Sequence, residues 1–164
     1  MNRRYTRADY LDKVKRLRDA VPDITLTTDI IVGFPGENAH DFKATMQLLE
    51  EVRFDGIFAF KYSKRPGTAA LKLSGHLPED IKVARLTKVL ALQKKITMQK
   101  NKAYAGMHTD ILIDGRSKRG GKLSGRTRGN KVVNVAGPDS LIGSLVAVRI
   151  TAAGVNSLSG EICE

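Results

Sequence analysis

Two β-rich runs joined by one helical repeat constrain this chain more than anything else in it. Residues 24–34 are dense in Ile, Thr and Val, with Ile30, Ile31 and Val32 in succession. That pattern predicts a strand buried on both faces near its end. Residues 57–62 predict a second short strand with aromatics. Between them Phe42, Met46, Leu49 and Val52 recur at helical spacing, and Asn38 is placed to cap that helix, with Asp41 at its third position. Strand, helix, strand in this order is a βαβ unit, whose strands run parallel. Two parallel strands cannot cover both faces and both edges of a sheet. The expected architecture is therefore α/β, and a piece of a larger α/β barrel or sheet.

The flanking segments carry helix signals. Thr6 and Asp9 form a capping-box pattern before Tyr10, Val14, Leu17 and Val21, and Pro22 closes that helix. Pro78 suits a first helical turn, and Glu79 and Asp80 suit the helix dipole. This third helix is expected to reach about residue 103, with Leu86, Val89, Leu90, Gln93 and Ile96 on one face. Near Gly106 the helical period stops. Short strand patterns follow at 109–114, 123–126, 131–135, 145–151 and 158–163, separated by Gly, Asn, Pro and Asp. Five such strands predict a small all-β barrel of the OB type. A boundary at 104–107 divides the chain into 1–103 and 104–164.

Charge narrows the partners. The net charge is +11, from 28 basic and 17 acidic residues, which favours polyanions. The one cysteine, Cys163, excludes an internal disulfide and any site built from several thiolates of this chain. His40, His76 and His108 lack metal-ligand spacing, so no metal site is expected. No apolar run reaches the length of a bilayer span, and the basic opening 1–6 lacks the apolar stretch of a signal peptide or anchor. A cytoplasmic location is the expectation.

Four motifs add a resemblance. Thr28-Asp29-Ile30-Ile31-Val32-Gly33-Phe34-Pro35-Gly36-Glu37 resembles the strand-and-turn signature of radical-SAM methylthiotransferases, and Phe60-Lys61-Tyr62-Ser63-Lys64-Arg65-Pro66-Gly67-Thr68 resembles that family's next strand. The opening Met1-Asn2-Arg3-Arg4-Tyr5-Thr6 resembles its preceding helix, and residues 125–133 resemble the RNA-binding TRAM domain that closes the family's sequences. Arg65-Pro66-Gly67-Thr68 and residues 125–130 are similar to the branch that acts on dimethylallyladenosine in tRNA. The resemblance implies a partial radical-SAM (βα) barrel followed by an OB-like TRAM barrel. It also implies a parent enzyme that adds a methylthio group to C2 of N(6)-dimethylallyladenosine beside the anticodon of tRNA. That enzyme would use S-adenosyl-L-methionine (SAM) and two 4Fe-4S clusters and work as a monomer. The family's Cys-x3-Cys-x2-Cys loop and its three further cluster cysteines have no counterpart in this chain. The chain is expected to be a fragment lacking its N-terminal half, without catalytic residues or metal ligands, inactive alone and able to bind tRNA. Two alternatives stand beside this: a stand-alone RNA-binding adaptor, and a fragment of a ribosomal-protein methylthiotransferase.

Three groups of residues are candidates for function. The turn after the first strand, Val32, Gly33, Phe34, Pro35 and Gly36, lies where ligands bind in barrels of this kind. The resemblance places it near the SAM adenosine, against the plainer reading of a tight strand-to-helix turn. Glu37 is read as a helix start, and Asp29 as a residue that would need a partner such as Arg if it faced a barrel interior. Tyr62, Lys64 and Arg65, just past the second strand, and Arg3 near the opening, are substrate-pocket candidates. Lys64 and Arg65 equally suit a solvated turn. Arg116, Lys118, Arg119, Lys122, Arg126, Thr127, Arg128, Asn130 and Lys131 lie in a segment with seven basic residues and no acidic one. A glycine-rich basic hairpin of this kind follows a phosphate backbone. It lacks stacking aromatics, which favours recognition of backbone and shape.

Overall fold

A computed structural model describes residues 4–118 and 120–163. The chain divides into two compact units, Met1–Ile96 and Thr97–Glu164.

In the first unit, α1 (Arg7–Ala20) opens on the expected capping box. Thr6 N–H donates to Asp9 Oδ2 at 2.9 Å, and Asp9 N–H donates to Thr6 Oγ1 at 3.2 Å. The bonds that Asp9 Oδ2 accepts from Thr6, from the backbone N–H foremost and then from the hydroxyl at 2.7 Å, hold the Asp9 carboxyl below its ordinary pKa. Asn38 caps α2 (Ala39–Val52) in the same reciprocal way with Asp41, and Arg53 ends that helix in the left-handed region. Between the helices and after them run β1 (Thr27–Val32) and β2 (Gly56–Lys61), parallel and in register from Thr27 opposite Gly56 to Val32 opposite Lys61. The long helix α3 (Glu79–Lys102) follows a short 3-10 turn at Ala69–Lys72. Pro78 stands just outside α3, where its carbonyl accepts from Lys82 N–H at 3.3 Å.

One core holds this unit together. Val14, Val32, Leu49, Val52, Phe54 and Val89 are buried, with Tyr10, Ile30, Phe42, Met46, Ile57, Ala59 and Leu86 packed against them. Gln93 crosses the core's edge, donating from Nε2 to Phe54 O at 2.9 Å. Three expectations need correction. Leu17 of α1 and Val21, which caps its end, are exposed, and so is Leu90 of α3. The stripe on each helix is wider than the layer that covers it. Nor is β1 buried on both faces: Ile30 and Val32 face the core, but Ile31 is 38% exposed. With only two strands, the sheet is covered on one side. Asp29, Ile31, Phe58 and Phe60 share the open side, since Asp29 pairs with Phe58 and Ile31 with Phe60. Asp29 is exposed there.

The second unit is a closed five-stranded barrel in the order β3-β4-β5-β7-β6. Its strands are β3 (His108–Arg116), β4 (Leu123–Thr127), β5 (Val132–Val135), β6 (Leu145–Ala153) and β7 (Leu158–Ile162). They lie where the alternating patterns put them. All neighbours are antiparallel except β5 and β7. Ile111, Ile113, Leu123, Val133, Val135, Val148, Ile150 and Leu158 fill the interior. Gly125 is demanded by closeness: a Cβ there would lie 2.9 Å from Leu112 O and 3.0 Å from Ile111 Cδ1. Closure leaves no bare sheet edge.

Candidate functional site

The carboxyl ends of β1 and β2 gather the first group of candidate residues. Val32, Gly33 and Pro35 are buried, Phe34 is half-buried and Gly36 is exposed. Tyr62 N–H donates to Val32 O at 2.8 Å, which draws the residue after β2 against the turn. The Phe34 and Tyr62 rings meet edge-on at 5.4 Å, and His76 lies 5.9 Å from Tyr62, ring centre to ring centre. Gly36 N–H donates to Gly75 O at 2.9 Å, so the loop before α3 backs the turn. Gly33 has a φ of 72° and lies so close to α3 that a Cβ would come within 2.3 Å of Lys82 Cγ. Only glycine fits both conditions.

Sequence reasoning missed what fixes this turn. Glu37 does more than start a helix. Its Oε2 accepts from Gly33 N–H at 2.9 Å, and Arg85 of α3 donates to its Oε1 and, at 3.1 Å, to its backbone O. Both side chains are nearly covered, Arg85 13% and Glu37 12% exposed. The Arg85 guanidinium also lies over the Phe42 ring at 5.3 Å. Beside this pair, Lys82 Nζ donates to Tyr62 O at 3.2 Å and pairs with Glu79 at 2.6 Å. Glu79 also pairs with Lys61 of β2. Hydrogen bonds from Lys61 and then Lys82 lower the Glu79 pKa from 4.5 to about 2. The Tyr62 hydroxyl oxygen is buried and has no hydrogen-bond partner among the described residues. The structure thus brings Val32, Gly33, Phe34, Pro35, Gly36 and Tyr62 together on a braced turn. Lys64 and Arg65 are exposed in the following loop. Arg3 lies outside the described residues.

The second group lies on β3, β4 and their connections. Arg116 pairs with Asp139. Arg126 donates from Nε to Asp114 Oδ2 at 2.9 Å and from Nη1 to Asn130 Oδ1 at 3.0 Å. Thr127 is buried, and its Oγ1 accepts from Lys131 N–H at 3.1 Å. Asn130 takes a φ of 60° and donates from its backbone to Thr127 O at 2.9 Å. Thr127 and Asn130 therefore build the β4–β5 turn. Lys131 is half-buried. Lys118, Lys122 and Arg128 are exposed, and among the described residues no side-chain partner engages them. Arg119 lies outside the described residues. The barrel thus carries two kinds of cation here: Arg116 and Arg126 are paired with carboxylates, and Lys118, Lys122 and Arg128 stand exposed.

Among the described residues no group of three or more His, Cys, Asp or Glu side chains could hold a metal ion. Among the same residues no helix is long and apolar enough to cross a membrane.

Two family models match this chain: the radical SAM superfamily over residues 1–49, and the TRAM domain over residues 102–163. The first match falls on the helix-and-strand unit and the second on the barrel, so the chain is similar to a radical-SAM protein with a TRAM domain. Over 99% of its length the chain is 51% identical to the tRNA-2-methylthio-N(6)-dimethylallyladenosine synthase of Geotalea uraniireducens, covering 37% of that protein. It is 51% identical to the synthase of the same name from Syntrophus aciditrophicus, covering 36% of it, and 48% identical to that of Acetivibrio thermocellus, covering 34%. Along its whole length the chain is thus similar to synthases of that name, and it spans a little over a third of the length of the curated relatives named first.

Proposed function

We propose that this chain is a segment of an enzyme that adds a methylthio group to C2 of N(6)-dimethylallyladenosine beside the anticodon of tRNA. The observation that carries this reading is the similarity across 99% of the chain to synthases of that name. In this reading β1 and β2 are two strands of a partial radical-SAM (βα) barrel spanning 1–103. Residues 104–164 form an OB-type TRAM barrel that docks tRNA, and the enzyme works as a cytoplasmic monomer.

The residues at the strand ends fit an adenosine-bearing cofactor. Gly36 brings backbone to the surface of a braced turn, aromatic rings stand beside it, and the buried Tyr62 hydroxyl oxygen lacks a partner among the described residues. SAM, when bound beside a reduced 4Fe-4S cluster, supplies the one-electron chemistry that activates an unreactive C–H bond. The residues of this chain bind and orient: the backbone of Val32–Gly36 walls the adenosine, and Glu37 and Arg85 hold that wall in place. Tyr62, Lys64 and Arg65 border the pocket that takes the nucleotide. A chain with one cysteine holds neither cluster, so alone it binds tRNA without turnover.

A chimera tests this. The 164 residues replace the matching segment of the Geotalea uraniireducens relative in a strain lacking its own synthase, and tRNA nucleosides are read by mass spectrometry. The 2-methylthio product is expected from the chimera and not from the 164 residues alone. A folded chimera that restores no product would refute the reading.

A further inference from the structure

Strand pairing sets Leu145, Leu112, Arg126 and Val132 in one row around the outside of the barrel. Leu112 pairs with Leu145 on one side and Arg126 on the other, and Arg126 pairs with Val132. Directly opposed residues point to the same face. Ile111 and Ile113 fill the interior, so Leu112 faces solvent. Leu145 is 66% exposed and Leu112 50%. Ile142, also exposed, stands in the loop entering β6. That loop is tied to β3 by Gly143 N–H to Ile113 O at 2.9 Å and Ile113 N–H to Ser144 O at 3.0 Å. Scattered apolar residues on a surface need no explanation, but adjacent ones in a row do.

What adjoins the leucines tells what suits them. Arg126 stands in the same row, its guanidinium held by Asp114 and Asn130. Arg128 follows directly beyond β4, and Lys118 and Lys122 sit in the hairpin at the other end of the same strand pair. A surface that sets bare apolar side chains beside cations complements a polyanion with exposed apolar faces. Unpaired RNA has both. A duplex offers phosphates but keeps its base faces stacked, and would leave the leucines in water.

We propose that the Leu112–Leu145 row seats unpaired bases of an RNA whose backbone runs along Arg128, Lys118 and Lys122. The inference rests on the reading that this barrel docks RNA, and it adds that the barrel prefers single-stranded segments. Leucines serve where aromatics are absent, because a base face laid on them buries apolar surface.

The test measures fluorescence anisotropy of the 164-residue chain with two synthetic RNAs across a salt series. One is a hairpin with an unpaired loop; the other is a blunt duplex of the same stem. The L112S/L145S variant is expected to bind the hairpin about tenfold more weakly, the size of losing one base contact. Its duplex affinity and salt slope stay unchanged, since no cation is removed. L112M/L145M, which keeps the apolar surface, binds as the unaltered chain does. L145S alone, at the more exposed leucine, shows a smaller loss of the same kind. K122Q/R128Q lowers affinity for both RNAs and flattens the slope. Unchanged hairpin binding by L112S/L145S, or an equal loss on the duplex, overturns the inference while leaving RNA docking standing. Failure of the unaltered chain to bind either RNA removes both.

Discussion

Glu37 shows how one side chain can be legible as a type and illegible as a role. Its place after Gly-Phe-Pro-Gly reads as a helix start, but its carboxylate turns back to Gly33 N–H and is met by Arg85, 48 residues further on. No local spacing announces such a pair. The glycines were readable because a strand-to-turn junction asks for them; the arginine was not, because it arrives from another element. A pair this well covered should be coupled. Removing one partner strands the other charge, at a cost of about 3 kcal/mol. We expect E37Q and R85Q each to lower stability by about that much, and the double variant to lose at least about 1 kcal/mol less than the sum. Urea unfolding of the four proteins measures it; strictly additive losses would show that the pair is not coupled.

Among elements, local signals carried most of the weight. The boxes at Thr6 and Asn38, the stop at Pro22 and the alternation in the barrel strands all specify their own neighbourhood, and each element lies where its signal put it. Burial was read less well. Ile31, Leu17 and Leu90 belong to apolar patterns, but a pattern shows which face could be covered, not whether a layer lies on it. How β2 is joined to α3 was also hidden, because Lys61 and Glu79 belong to different elements. Glu79 carries a testable consequence. Its pKa in the fold, about 2, lies below its ordinary 4.5. A group lowered in this way adds stability above its unfolded pKa and loses that contribution as pH falls through the folded one. Stability should therefore drop between pH 4.5 and about 2, and E79Q should flatten that part of the curve. Urea midpoints measured across the window decide it, and identical slopes for both proteins would show that Glu79 has no part in acid sensitivity.

At the scale of the whole chain, the sequence announced two kinds of architecture, and the change near Gly106 is real. It left open how five strands close. The order β3-β4-β5-β7-β6, with β5 and β7 parallel, depends on pairings between distant segments that no local period encodes. It also set the change of pattern later than the division between the compact units, which falls at Ile96 and Thr97 inside α3. The last turns of that helix have a reason to go with the barrel. Asn101 is buried, and its Nδ2 donates to Gly154 O at 2.8 Å and Val155 O at 3.1 Å, while Tyr104 packs against the barrel core. A peptide of residues 97–164 has a closed sheet and its own apolar interior, so it should unfold in one cooperative step. A peptide of residues 104–164 keeps the strands but loses both bonds from Asn101, each worth about 1 kcal/mol. It should be less stable by about 2 kcal/mol, and N101A in the longer peptide should reproduce most of that loss. Urea melts of the three peptides decide the matter: equal midpoints for 97–164 and 104–164 would mean that the end of α3 contributes nothing to the barrel.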